Sequence, residues 1–289
     1  MLTVGVVIRT LNEAELLGTC LDALKRQRPG FDLDVLVVDS GSTDGTLDIA
    51  RAKGARIFSL APEDFDYSKS LNVGIDRVRG ELVLVLSAHA IPVDDEWVAR
   101  MIAPFEDPRV AGVASRQVPW DGAPCREVLR LARTFGETNC VYSRENADRI
   151  VFSNAASCIR RSVWREEPFT LPAAEDIDWA QRVVAAGWAV VYVGETAAYH
   201  SHDESPRAQS RRLIDITRAG TAPPGPRTLR RTLREASAFL YRDTKLIAGL
   251  DEPPRRKLAH FVELVRVASY YVADFSRSGT TAELRREDS

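Results

Sequence analysis

The sequence predicts an α/β protein: a mostly parallel sheet flanked by helices, with a helical C-terminal appendage. Three observations carry this expectation. Short β-branched apolar runs alternate with stretches of helical periodicity from the N-terminus to about residue 200, the pattern of strand and helix crossovers. The stretch "ELVLVLS" (81–87) is apolar without alternation, as a strand covered on both faces must be. At 289 residues, the chain suits one large domain or a domain with an appendage, and it can bury a core unaided.

Each element follows in order. "TVGVVIRT" (3–10) reads as a first strand, and "NEAELLGTCLDALKRQ" (12–27) as a helix with Leu16, Leu17, Cys20, Leu21 and Leu24 on one face. Next come the strand "DVLVVDS", a helix opened by "STDGTLDIARAKG", and the short strand "ARIFSL". "SKSLNVGIDRVRG" forms another helix ending at Gly80, ahead of the dry strand. Residues 110–116, 151–159 and 189–193 supply later strands. These elements make a first domain over residues 1–205, and a basic linker with C-terminal helices fills 206–289. From Arg207 to Arg231 there are seven arginines against one acid, Asp215, and "TAPPGP" interrupts the segment as a hinge. Leu258, Phe261, Val262, Val265, Ala268 and Val272 then recur at helical spacing, a stripe that should pack on the main domain. A membrane-surface or partner helix, or a homodimer contact, is the other use of such a stripe.

Composition excludes several classes. With 39 Lys plus Arg against 41 Asp plus Glu, the net charge of -2 gives no reason to expect nucleic acid as a partner. Four widely spaced cysteines, Cys20, Cys125, Cys140 and Cys158, form no paired metal motif and fit free thiols in a reducing cytoplasm. The N-terminus has no basic leader and no run reaches membrane-spanning length, so a soluble cytoplasmic protein is expected, with the arginine-rich segment offering a peripheral contact to the inner membrane face. Neither G-x-G-x-x-G nor a P-loop occurs, so a standard dinucleotide site and an NTPase are unsupported.

The chemistry gathers at strand ends, where open parallel sheets bind ligands. The first strand runs into Thr10, Asn12 and Glu13, the second into Asp39 and "SGSTDGT", and the dry strand into Ser87 and His89. Taken alone, "DSGSTDGT" is also a turn and helix cap.

Six pieces, "VVIRTLNEAE", "VLVVDSGSTDGT", "FDYSKSLNVGIDRVRGELVLVLSAHAIP", "VFSNAASCIRRSVW", "AAEDIDWAQRVVAAGW" and "VVYVGETAAYHSH", stand in the order of a known family. Over about residues 3–205 the chain resembles the family 2 inverting glycosyltransferases of the GT-A fold, in their rhamnosyltransferase-like branch. The resemblance implies transfer of a hexosyl or deoxyhexosyl group from a nucleotide-diphosphate sugar to an acceptor hydroxyl, with inversion and usually with a divalent cation. The donor would be a dTDP or UDP deoxysugar, and the acceptor a polysaccharide, a lipid-linked carbohydrate or a natural product.

Carried over residue by residue, Thr10, Asn12, Glu13 and Asp39 form the base and ribose pocket, and Lys69 either faces the donor diphosphate or is an exposed helix lysine. Asp176 matches the general base that takes the acceptor proton, with Glu175 and Asp178 as neighbouring carboxylates that raise its pKa or orient the acceptor. "EDID" also suits a helix start. Asn154 and Ser157 are placed to meet sugar hydroxyls or to be satisfied within a buried strand. Trp120 and Trp179 are placed to stack on an acceptor or to pack the core. "SHDESPRAQSRR" reads as a loop closing over the donor, with Arg207, Arg211 and Arg212 toward phosphate.

The family's Asp-x-Asp is replaced here by Ser87 and His89. His200, with His202 two residues on, matches a second metal position. Three readings of His89 stand open: a metal ligand suited to Mn²⁺ more than Mg²⁺, a direct contact to the diphosphate with no cation at all, or a degenerate site. The last implies a non-catalytic nucleotide-sugar-binding subunit. A nucleotidyltransferase would need a Gly-rich phosphate loop that "RTLNEAELL" does not supply.

Overall fold

The structure, a computed structural model, describes residues 1–28, 30–202, 205–207, 210, 229–249 and 253–284. Its centre is a nine-stranded sheet in the order β3-β2-β1-β4-β8-β6-β9-β5, with β7 paired to β9. The strands are β1 (Leu2–Thr10), β2 (Phe31–Asp39), β3 (Arg56–Ser59), β4 (Leu82–Ser87), β5 (Ile91–Pro92), β6 (Val110–Val118), β7 (Cys140–Tyr142), β8 (Ala156–Arg160) and β9 (Ala189–Tyr199). The helices are α1 (Leu17–Lys25), α2 (Thr46–Ala52), α3 (Tyr67–Arg77), α4 (Trp97–Ile102), α5 (Cys125–Thr134), α6 (Arg161–Glu166), α7 (Glu175–Ala186), α8 (Leu229–Gly249) and α9 (Pro254–Leu284).

The dry strand is dry for the expected reason. Leu82, Leu84 and Leu86 of β4 enter one core with Val4, Val6 and Ile8 of β1 and Leu17, Leu21 and Trp97 of the helices. Val83 and Val85 point the other way, into a second core with Leu71, Ile75, Val183 and Trp179. Helix α3 lies tight on β1, because a Cβ at Gly74 would come within 2.5 Å of Val7 Cγ1. Its last carbonyls are capped by the buried Arg161, which donates to Ile75 O at 2.7 Å and to Val78 O and Gly80 O at 2.6 Å.

The sheet is parallel through β3-β2-β1-β4 and mixed beyond it. Strand β8 runs antiparallel to both β4 and β6. It starts from a turn at the carboxyl end of β4, where Ser87 N donates to Ala155 O at 3.1 Å, so it can only run back. That turn corrects the expected strand over 151–159: β8 begins at Ala156. Helix α1 likewise starts at Leu17, later than the periodicity suggests. The preceding N–H groups of Asn12, Glu13 and Ala14 are held instead by Ser42 Oγ (2.8 Å), Thr46 Oγ1 (2.8 Å) and Asp44 Oδ2 (3.1 Å).

The chain forms two compact units: Met1–Asp121 with Leu131–Ser201, and Gly122–Arg130 with His202–Ser289. The second therefore takes in a short segment from the middle of the chain that composition did not signal. Within it, Leu129, Ile247 and Leu264 make a small core with Phe239 and Leu240. Of the expected stripe of α9, Leu258, Phe261, Val262 and Val265 are exposed, Val272 is half-buried and Ala268 is buried; the covered side is the one that carries Leu264, Val267 and Ala268. Which of two apolar faces is buried cannot be told by period alone, since both repeat every 3.6 residues. The "TAPPGP" hinge, Arg211 and Arg212 lie outside the described residues. Among the described residues, no helix is long and apolar enough to cross a membrane. Cys20, Cys140 and Cys158 are free, and burial pushes the Cys20 thiol up to about 12.

Candidate active site

The strand ends converge as the sequence expects, and two polar clusters form there. The first starts at Glu13, in the loop after β1. Glu13 Oε1 accepts from His89 Nδ1 at 2.6 Å, which fixes the proton on Nδ1 and leaves the lone pair on Nε2. His200, just past β9, is held the same way: Nδ1 donates to Gln117 Oε1 of β6 at 2.8 Å. The two rings stack nearly parallel, centroids 4.9 Å apart, and their Nε2 atoms face each other at 3.1 Å. Two lone pairs cannot oppose one another at that distance unless a proton or a cation lies between them. A cation bound at roughly 2.1 Å by each nitrogen would hold them about 3.0 Å apart at a right angle and about 3.4 Å apart at the tetrahedral angle. The observed separation of 3.1 Å falls in that range, so the donor set fits one borderline divalent ion. Ser87 Oγ lies against the His89 ring, 3.2 Å from Nδ1 and 3.3 Å from Nε2. His202 belongs to the second compact unit, where its N–H donates to Glu127 Oε1 at 3.2 Å.

The second cluster is at the start of α7. Ala174 takes a left-handed conformation (φ 58°) that turns the chain into the helix and sets Glu175 and Asp176 at its first turn. Asp176 is half-buried; its Oδ1 accepts from Ile177 N at 2.9 Å and its Oδ2 from Asn154 N at 3.3 Å. Burial, then the charge of Glu175, pushes its carboxyl up to about 6. Glu175 is buried, accepting from Asn154 Nδ2 at 3.3 Å with Arg9 Nη1 at 3.5 Å. Asp178 stands apart from this pair, bound to Arg182 Nε at 2.9 Å and Thr170 Oγ1 at 3.3 Å. The turn Asn154–Ala155 joins the clusters, since Asn154 holds Asp176 and Ala155 holds the end of the strand that carries Ser87.

The other expected residues sort by their partners. Asn12 (φ 54°) and Asp39 knit the two strand-end loops together. Asn12 Oδ1 accepts from Thr43 N at 2.8 Å, and Asp39 Oδ2 accepts from Gly41 N at 3.0 Å and Ser42 N at 3.1 Å. Thr10 keeps a buried hydroxyl without a partner, beside Asp39 in the strand register. Lys69 is paired with exposed Asp64 at 2.6 Å. Asn154 and Ser157 are fully buried and bonded to each other at 3.0 Å, so they support the site from beneath. Trp179 is core: fully buried, it donates to Glu167 O at 2.7 Å and fills the space that Gly112 leaves. Trp120 stacks on Tyr199 at 4.8 Å.

Sequence reasoning missed Arg9 and Gln117. Arg9 lies over the Tyr67 ring at 4.7 Å, and its buried Nε and Nη1 have no hydrogen-bond partner. Its signal was visible, an arginine inside an otherwise apolar strand. Gln117 gave none, because its partner is 83 residues away.

The mixed sheet with helices on its faces, and with carboxylates and imidazoles gathered at its strand ends, has the architecture of the GT-A fold. Residues 5–165 match the sequence profile of glycosyl transferase family 2, and the chain belongs to that family. It is similar to the O-antigen chain rhamnosyltransferase RfbN of Salmonella typhimurium, 29% identical over 222 residues, which are 73% of this chain and 70% of that one. The O-antigen chain rhamnosyltransferase WbaN of Salmonella anatum is 26% identical over 63% of this chain and 60% of its own length. In fold it is similar to mannosyltransferase PcManGT from Pyrobaculum calidifontis, solved with GDP-Man and Mn²⁺ (TM-score 0.54, 18% identity, 97% of this chain and 80% of that one). Glucosyl-3-phosphoglycerate synthase from Mycobacterium tuberculosis, solved with Mn²⁺, UDP and glucosyl-3-phosphoglycerate, gives a TM-score of 0.55 at 20% identity over 77% of this chain and 81% of that one. The chain is a glycosyltransferase of rhamnosyltransferase-like type.

Proposed function

We propose that this glycosyltransferase moves a deoxyhexosyl group, rhamnosyl by likeness to its relatives, from a nucleoside-diphosphate donor to an acceptor hydroxyl by a single inverting displacement. The observation that carries this reading is Asp176: a half-buried carboxyl in the first turn of α7 with its pKa pushed up to about 6, poised to take a proton near neutral pH. Its two backbone N–H partners, Asn154 and Ile177, fix the carboxylate. Buried Glu175 raises its proton affinity, and Arg9 limits that rise.

His89 and His200 are the residues that would hold a divalent ion, Mn²⁺ in preference to Mg²⁺ because imidazole is the donor. Such an ion supplies charge neutralisation for a leaving diphosphate. Glu13 and Gln117 hold the two rings through their Nδ1 atoms. Thr10, with its unpartnered hydroxyl, is the nearest candidate for a base or ribose contact; Asn12 and Asp39 shape the pocket through the loops they knit.

The test pairs transfer with binding. Asp176→Asn should abolish product while titration calorimetry with dTDP or UDP in Mn²⁺ stays within about twofold of the parent protein. Loss of binding along with transfer would refute the base assignment. An anomeric NMR signal with retained configuration would refute the displacement.

A further inference from the structure

Helix α9 is apolar on two sides. Its inner side, Leu264, Val267 and Ala268, is buried, and Leu264 meets Leu129 and Ile247 in the small second core. Its outer side carries Leu258 (64% exposed), Phe261 (40%), Val262 (43%) and Val265 (39%). At 100° per residue these four fall within about 100° of arc, a continuous stripe rather than scattered exposed residues. Four apolar side chains left in water at a set helical spacing form a surface that contact with something outside the chain would stabilise.

The charges identify what that is. Arg255 precedes Leu258 by one turn, Arg266 follows Val262 by one turn, and both are exposed. They lie on the same flank of the stripe, three turns apart, about 16 Å along the axis. The acids of the helix between residues 254 and 274 are Glu263 and Asp274, which fall on the far side of the cylinder from the stripe. A second copy of the chain packed antiparallel on this face would set Arg255 and Arg266 against their own images. An anionic headgroup layer would complement that row, with the apolar side chains entering at the acyl boundary.

We propose that the outer face of α9 is a docking surface for an anionic lipid bilayer, on which the helix lies flat. This rests on the helix alone and is independent of the assignment of the active site.

The experiment is vesicle sedimentation of the full chain, with vesicles of phosphatidylcholine containing about one third phosphatidylglycerol, set against pure phosphatidylcholine. The chain should sediment with the anionic vesicles and release in salt of about 0.5 M. Val262→Asp should cut binding by about tenfold or more, since it sets a charge on the apolar stripe. The double variant Arg255→Ser, Arg266→Ser should cut it by about twentyfold at low salt, about fivefold for each base lost. Val262 and both arginines are exposed, so circular dichroism should be unchanged in every variant. Absence of sedimentation with anionic vesicles overturns the proposal, as does sedimentation that Val262→Asp leaves intact. A dimer in light scattering that Val262→Asp dissociates, with no vesicle binding, overturns it in favour of a second copy as the occupant.

Discussion

The carboxylate end of the site and its imidazole end crowd like groups together and relieve the crowding differently. Glu175 and Asp176 are adjacent in the chain; burial and mutual repulsion lift one proton affinity, and Arg9 and the N–H groups of Asn154 and Ile177 hold the rest of the charge. His89 and His200 come from separate strand ends, and each has its outer nitrogen tied to a different element, so two lone pairs meet across 3.1 Å. On the proposed function, the first arrangement would hold a proton in transit and the second a cation that stays. Similar crowding would then serve different chemistry, depending on whether the outer partners leave a group ionisable or fix its tautomer.

The contrast breaks most plainly at Asp176. Asp176→Asn should lower kcat by about a thousandfold or more, read in a donor-to-acceptor transfer assay, because general-base transfer is worth that much. A loss under tenfold would make the carboxylate end ornamental. His89→Ala and His200→Ala should each weaken Mn²⁺-dependent nucleoside-diphosphate binding about 10- to 100-fold in calorimetry, while binding in EDTA is equally weak for all three proteins. Equal binding of the parent protein with Mn²⁺ and with EDTA would mean that a proton, not a cation, bridges the imidazoles.

Arg9 sharpens the comparison through pH. The folded protein holds the Asp176 carboxyl up at about 6, so kcat should climb as pH rises through about 6 and level off above it. The Arg9 charge lowers that value, so Arg9→Met should move the rising limb to higher pH with little change in the plateau, checked by kcat profiles of both proteins. A limb that stays in place would remove Arg9 from the electrostatics of the base.

The smallest effect is on stability. A carboxyl raised in the folded state favours folding while it is protonated, and that contribution is lost as pH rises from the unfolded value of 3.8 through about 6. Asp176→Asn should therefore be more stable than the parent protein at pH 8 by roughly 1 to 2 kcal/mol and indistinguishable from it near pH 3, measured by urea unfolding.

Local sequence determined a large part of this protein. The two-faced burial of β4 follows from "LVLVL", the strand-end position of Asp39 and His89 from the runs before them, and Asp176 at a helix start from "EDID". These are properties of neighbouring residues, and alternation and capping report neighbours. Tertiary structure decided the rest. It gave Asp178 to Arg182 and Lys69 to Asp64, made Asn154 and Ser157 an internal support, and turned β8 back against β4. It brought Gln117 to His200 and Arg9 to Glu175, and it covered the Leu264 side of α9 rather than the Leu258 side. A period says that a face exists, and a polar residue says that a partner is needed. Which face is covered, and which partner is met, is settled only when segments far apart in the chain compete for the same space.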